Sequence, residues 1–127
     1  MYTFIQVIKY LSMEELAMLQ IKLGHKQNVQ NDPLGRHWVG AEPNMSERNA
    51  WEAGRGCWVM KASRAIEEDE VRIVDPAGII LAVATMRGLI KHGNRLEVVG
   101  DLLEGDPRVG TEVELSKSQN PISYHQS

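Results

Sequence analysis

WEAGRGCWVMK, residues 51–61, is the stretch around which this chain is organised. It contains two of the three tryptophans, the only cysteine, and Arg55, which stands between two glycines. A short helical pattern ends in this stretch and an extended pattern begins. Each tryptophan ring buries a large apolar area and has one N–H that needs a partner, so the pair predicts a core or a pocket wall here. Gly54 and Gly56 permit backbone angles that other residues resist, and they allow another group to approach Arg55 closely.

Composition predicts one ordinary globular domain. The chain has 127 residues, of which 43% are apolar and 24% charged, and these proportions are typical of globular proteins. We expect a single domain over residues 1–127, with a helix and a loop inserted at about 11–44. The net charge of −3 counts against indiscriminate binding to phosphate backbones, which requires a basic surface or a strong local patch.

The cysteine count and the hydropathy pattern indicate a location. A single cysteine cannot form an internal disulfide, and no CxxC pair is present, which is typical of reducing compartments. No apolar run reaches the roughly 18 residues that cross a membrane, and Met1–Tyr10 lacks the layout of a signal peptide. We therefore expect a cytoplasmic protein with no membrane partner.

The chain before residue 24 predicts a strand followed by a helix. Tyr2–Tyr10 is rich in β-branched and aromatic residues, which favour a strand. Ser12 and Glu15 form a capping box, and the leucines that follow lie on one helical stripe. The pattern predicts a helix over about Met13–Leu23, with Gly24 just beyond its end.

A long polar connection and a second helix precede Gly54. His25–Asn44 contains turn residues throughout, and Trp38 interrupts it, so part of the connection is expected to pack against the protein. Ser46 is placed to cap a short helix that Gly54 ends.

The chain after residue 56 is β-rich. Glu67–Glu70 is predicted as a solvated turn, and Asp75–Gly78 and Lys91–Asn94 as tight turns. The predicted extended segments are Cys57–Ala62, Val71–Val74, Ile79–Thr85 and Arg95–Gly100. Ile79–Thr85 is almost continuously apolar, so we expect it to be a central strand. Together these elements predict an α+β fold, a small curved sheet or partly open barrel capped by one or two helices.

The motifs in this order resemble those of a family. Glu52–Met60 resembles the EA-x-RG-x-W-K signature of a small, poorly characterised bacterial and phage domain, and the remaining segments follow in the order of that domain. Those segments are Val74–Ile79, Val99–Asp101, Val109–Val113 and Gln119–Tyr124. The chain departs from the signature at Cys57, where the family has an aromatic residue, and at Met60, where it has lysine.

The resemblance implies a fold and a kind of ligand. The family is loosely similar to PUA-like barrels such as the EVE and ASCH domains, which bind nucleic acid or a modified base in a pocket with aromatic walls. The positions that match the family pattern closely enough for transfer are Arg55, Trp58, Asn120 and Tyr124.

The candidate ligand-binding residues have alternative roles. Arg55 is suited to holding a phosphate or carboxylate bidentately, or else to bonding backbone carbonyls at the end of the short helix. Trp58 is suited to stacking on a base, or else to filling the core. Lys61 and Arg64 flank one strand and, with the basic residues near Lys91–Asn94, predict either a positive rim around the region of Arg55 and Trp58 or scattered solvated charges. The candidate site therefore consists of Arg55, Trp58, Lys61, Arg64, Asn120 and Tyr124.

Three functions are compatible with these residues. The first is a non-enzymatic module that binds a nucleic acid or nucleotide-like ligand without a cofactor. The second is a phage or bacterial effector acting by protein–protein contact, through the helix carrying Met13 and Met18 and the long connection. The third is an RNase-like hydrolase that uses His25, His37 and Glu52. The four histidines lack metal-ligand spacing and no nucleophile motif is present, so we expect no metal site and favour the binding module.

Overall fold

A computed structural model gives the structure of this chain and describes residues 16–126. The helices are α1 (Glu47–Gly54) and α2 (Ala62–Ala65). The strands are β1 (Ala17–Lys22), β2 (Gln27–Asn28), β3 (Trp38–Val39), β4 (Glu70–Val74), β5 (Ile80–His92), β6 (Arg95–Leu102) and β7 (Ile122–Gln126). The predicted strand Tyr2–Tyr10 and the capping box of Ser12 and Glu15 lie outside the described residues.

Five of the strands form one mixed sheet. Their order is β6-β5-β4-β1-β7, in which β1 and β4 are parallel and the other neighbours are antiparallel. The α+β class is therefore confirmed, and β5 is an interior strand as its apolar run predicts. As far as the structure describes the chain, the sheet is open and does not close into a barrel. The short strands β2 and β3 form a separate two-stranded sheet within the long connection.

The helix predicted over Met13–Leu23 is wrong wherever the structure describes it. Ala17–Lys22 is β1, which pairs with β4 on one side and with β7 on the other. Leu19 and Leu23 fit both a helical and an alternating pattern, but Ile21 fits only the alternation, and all three are buried in one core. Ladder bonds to two distant strands outweigh the local helical preference. This part of the predicted insertion therefore belongs to the central sheet.

Helix α1 packs on one face of the sheet, as predicted from its cap. The Ser46 hydroxyl accepts a hydrogen bond of 3.1 Å from the Asn49 backbone N–H, which satisfies an otherwise free helical donor. Trp51 is 5% exposed and forms part of the core between helix and sheet. Gly54 lies against β4, where an added Cβ would come within 2.7 Å of the Ile73 side chain. The glycine therefore allows the helix end to approach the sheet.

A largely buried ion pair joins the long connection to α1. The Arg36 guanidinium donates to both oxygens of Asp32, at 2.8 Å and 2.9 Å, and both side chains are largely buried. The same guanidinium donates to the carbonyls of Glu52 and Ala53, each at 3.1 Å. These carbonyls belong to the last turn of α1 and have no partner within the helix. Trp38 packs against the core, as expected for this connection.

The turns of the second half are confirmed, but the acidic turn is not a solvated one. Asp75 accepts backbone N–H bonds from Ala77 and Ile79, each of 2.9 Å, within the predicted turn. In the cluster Glu67–Glu70, by contrast, Glu68 and Glu70 are 5% and 8% exposed. Glu70 begins β4 and binds Arg108, which belongs to the segment covering the second face of the sheet. The predicted extended segment Cys57–Ala62 ends where the unpredicted helix α2 begins.

Candidate functional site

Arg55 forms a bridge between α1 and β6. Its Nε donates to Glu52 Oε2 at 2.9 Å and its Nη1 binds the buried Glu97 carboxylate. The other oxygen of Glu97 lies 2.8 Å from His92 Nε2. Two carboxylates therefore occupy the guanidinium that the sequence made a candidate for an external anion. The alternative role, bonding the backbone carbonyls at the end of the short helix, falls to Arg36, whereas Arg55 binds side-chain carboxylates.

Trp58 lines a cavity of about 550 Å³ together with the end of β1, the long connection and the end of α1. Its indole N–H donates to the Gly54 carbonyl at 2.7 Å. Its backbone pairs with Leu96 of β6 through bonds of 3.0 Å and 2.8 Å. The ring is half-buried and packs beside the core. These contacts fix the orientation of the indole, which packs beside the core and also lines the cavity.

Cationic side chains exceed carboxylates in this cavity. Lys22, Arg36 and Arg95 line it, whereas Asp32 is the one lining carboxylate. Hydrogen bonds from Arg36 lower the pKa of Asp32 from 3.8 to about 2, so this pair stays ionised and is already satisfied. Within residues 16–126, neither Lys22 nor Arg95 forms a salt bridge. The charge left for a ligand is therefore positive.

Cys57 also lines the cavity. The residue is half-buried. Desolvation raises the pKa of its thiol, an effect that the nearby Arg36 only partly opposes. The thiol is therefore protonated near neutral pH and is a poor nucleophile.

Four of the six candidate residues lie together in a second depression of about 510 Å³. They are Lys61, Arg64, Asn120 and Tyr124. The Arg64 guanidinium lies over the Tyr124 ring, 4.6 Å from its centroid, and 3.7 Å from Glu68 Oε1. Burial raises the pKa of both Glu68 and Tyr124. Asn120 accepts a bond of 3.0 Å from the Ile122 N–H, which begins β7.

The two depressions share their borders. Residues 57–58 line the first and residues 59–61 line the second, so one short segment passes from one to the other. A second segment behaves in the same way, because Gln119 and Pro121 line the first while Asn120 and Ile122 line the second. Of the six candidates, Trp58 lies at the first depression and four lie at the second. Arg55 lines neither of them.

The other candidate residues are dispersed. His37 and Glu52 share a small depression of about 240 Å³, whereas His25 lines the first cavity. Of the basic residues near the Lys91–Asn94 turn, Arg95 reaches the first cavity, and Arg87 forms an exposed pair with Asp101 at 2.9 Å. Lys22 was not identified from the sequence as a cavity residue, because the pattern placed Lys22 in a helix. The Asp32–Arg36 pair was not identified either, because the i, i+4 spacing within a loop was its only signal in the sequence.

No group of three or more histidine, cysteine, aspartate or glutamate side chains is placed to hold a metal in the part of the chain that the structure describes. Among those same residues, no helix is both long and apolar enough to cross a bilayer. No protein-family model, no curated protein and no solved structure matches this chain. Membership of the PUA-like group therefore stays a prediction.

Proposed function

We propose that this protein is a non-enzymatic binding module for a nucleic acid or nucleotide-like ligand, acting in the cytoplasm. The ligand's planar ring lies against Trp58, and its anionic group is held by Lys22 and Arg95. The observation that supports this proposal is the lining of the first cavity. It includes an indole in a fixed orientation and two cationic side chains without salt bridges in the described chain.

The size and chemistry of the cavity suit such a ligand. Its volume of about 550 Å³ lies within the range of about 300–1,000 Å³ that small-molecule pockets occupy. An indole face binds planar rings of any base, since every base has a π-face. Arginine presents a planar fork to phosphate oxygens, and lysine adds a compact charge. The PUA-like affiliation would be consistent with this ligand class, and we retain it as part of the proposal.

This proposal differs from the sequence prediction in its anion-binding residue. Arg55 is already held by Glu52 and Glu97 through two of its three nitrogens, so a ligand anion could bind it bidentately only by displacing a carboxylate. Within residues 16–126, Arg95 makes only a long bond of 3.4 Å, to the Cys57 carbonyl, and its fork remains available for a phosphate. We therefore assign the anion to Arg95 and Lys22 and a structural role to Arg55.

Three observations count against the rival functions. Met18, part of the proposed protein-contact surface, is 1% exposed in β1 and presents nothing to a partner. For the hydrolase, His25 lies at a different depression from His37 and Glu52. The protonated Cys57 thiol does not supply a nucleophile either. Binding without catalysis is thus the function that the described residues support best.

The test is a titration of nucleoside monophosphates, measured by calorimetry against the unphosphorylated nucleosides. We expect the monophosphates to bind, the nucleosides to bind more weakly, and affinity to fall with salt. Arg95→Gln should weaken monophosphate binding about tenfold, the loss of one charge-assisted contact. Arg87→Gln is the matched control, because Arg87 is an exposed arginine that does not line the cavity. Equal effects of the two variants, or no binding of either a monophosphate or an oligonucleotide, would refute the proposal.

A further inference from the structure

We infer that the ligand is a single-stranded oligonucleotide that spans both depressions, and not a free nucleotide. This inference rests on the proposed function of the first cavity. It extends that function to the second depression, where Tyr124, Arg64 and Lys61 receive the next part of the strand.

The first argument is the position of the second depression. Residues 57–61 pass from the first depression to the second, and an extended segment of this length covers roughly 13–14 Å. A mononucleotide seated against Trp58 therefore leaves the second depression empty. A polymer that continues along the same segment fills both.

The second argument is that the chemistry of the first depression is repeated. Each depression combines an aromatic side chain with more cations than carboxylates, in a chain whose net charge is −3. At the second depression, Lys61 and Arg64 accompany one lining carboxylate, Glu67. A positive groove with successive aromatic platforms is the usual arrangement for binding single strands without sequence preference.

The third argument is that Arg64 and Tyr124 stack on each other and form a surface on which a base can stack. Arg64 lies over the tyrosine ring at 4.6 Å, and Glu68, whose side chain is 3% exposed, lies 3.7 Å from the guanidinium. The Arg64 side chain is itself 52% exposed, so the face of the guanidinium that is turned from Tyr124 is accessible to a base. Bases stack on arginine planes as well as on aromatic rings. Lys61, which is exposed, lies at the same depression and supplies the phosphate contact.

The test compares mononucleotides with hexamers. UMP, dTMP, hexauridylate and hexathymidylate are titrated at one salt concentration, so that the RNA and DNA arms also show which sugar is preferred. Any of the six nucleotides of a hexamer can occupy the first cavity, and this statistical factor alone makes a hexamer bind roughly sixfold tighter than a mononucleotide. We expect each hexamer to bind more than tenfold tighter than its mononucleotide, which exceeds the statistical factor. Lys61→Gln should remove most of this gain and leave mononucleotide affinity unchanged. Tyr124→Ala should do the same if its melting curve remains cooperative.

The control variant is Lys91→Gln, which removes an exposed lysine that lines neither depression. If Lys61→Gln and Lys91→Gln have equal effects on hexamer binding, the inference is wrong. A second outcome separates the two proposals. If mononucleotide binding depends on Arg95 but the hexamers bind no more than about sixfold tighter, which is the statistical factor, the proposed function stands and this inference fails. If neither ligand length binds, both fail.

Discussion

Replacing Arg36 by methionine should destabilise the protein more than any exposed charge substitution. The Arg36 side chain is 13% exposed and Asp32 is 8% exposed, so the substitution leaves a buried carboxylate without its partner. It also leaves the carbonyls of Glu52 and Ala53 without their donor. The long connection and the end of α1 are thereby released from each other.

The expected loss follows from these contacts. Removing one partner of a buried ion pair costs about 3–5 kcal/mol. Asp32 retains backbone bonds from Leu34 and from residue 36, at 3.1 Å and 3.0 Å, which moderate the cost. We therefore expect a loss of about 3 kcal/mol in the free energy of unfolding, or a fall in Tm of roughly 10–15 °C for a domain of this size.

The assay is urea unfolding at neutral and acidic pH. The pKa of Asp32 is lowered from 3.8 to about 2 by its bonds to Arg36, so folding favours the ionised form. This contribution, about 2 kcal/mol, is full above pH 4 and is lost as pH falls from 4 through 2. The stability difference between the wild type and Asp32→Asn should therefore shrink over that window.

Arg87→Met is the matched control, because Arg87 and Asp101 form an ion pair at 2.9 Å that is 64% and 61% exposed. Exposed pairs contribute about 0–1 kcal/mol. The reasoning is refuted if Arg36→Met costs no more than Arg87→Met, or if the Asp32→Asn difference does not change between pH 5 and pH 2.

Three further predictions concern α1 and the first cavity. Ser46→Ala should lower the free energy of unfolding by about 1 kcal/mol, through loss of the N-cap bond, whereas Ser46→Asp should not; chemical denaturation measures both. Gly54→Ala should cost about 1–3 kcal/mol, because the added Cβ meets Ile73 at 2.7 Å, and an unchanged melting temperature would contradict the close approach. Cys57 should react slowly with thiol reagents at neutral pH and faster as pH rises through its raised pKa. A saturating nucleotide should slow the reaction further. A labelling rate that nucleotide does not change would place the ligand outside the cavity.

Local signals in the sequence predicted the elements that depend on neighbouring residues. The Ser46 cap, the Asp75–Gly78 turn and the interior strand β5 were all predictable, because a cap or turn bond joins residues only a few positions apart. Burial of an apolar run on both faces likewise follows from composition alone. The α+β class follows from these elements together.

The candidate site was only partly predictable. The six residues of the predicted site do not all lie together: Trp58 lies at the first cavity and Arg55 at neither depression. The other four line the second depression, and they are Lys61, Arg64, Asn120 and Tyr124. The partners of Arg55 include Glu97, which approaches only because β6 lies beside the end of α1. An arginine between two glycines has the same local sequence whether a protein carboxylate or a ligand phosphate binds it.

The sequence by itself determined the α+β class, the cap of α1, the tight turns and the interior position of β5, since each depends on short-range backbone bonds or on continuous apolarity. Tertiary structure alone decided the rest. Ala17–Lys22 became a strand because β4 and β7, both distant in the chain, supply ladder bonds that outweigh a local helical pattern. The first cavity exists because β1, the long connection, α1 and β6 converge there, and Arg36 holds two of them together across residues that no local pattern connects.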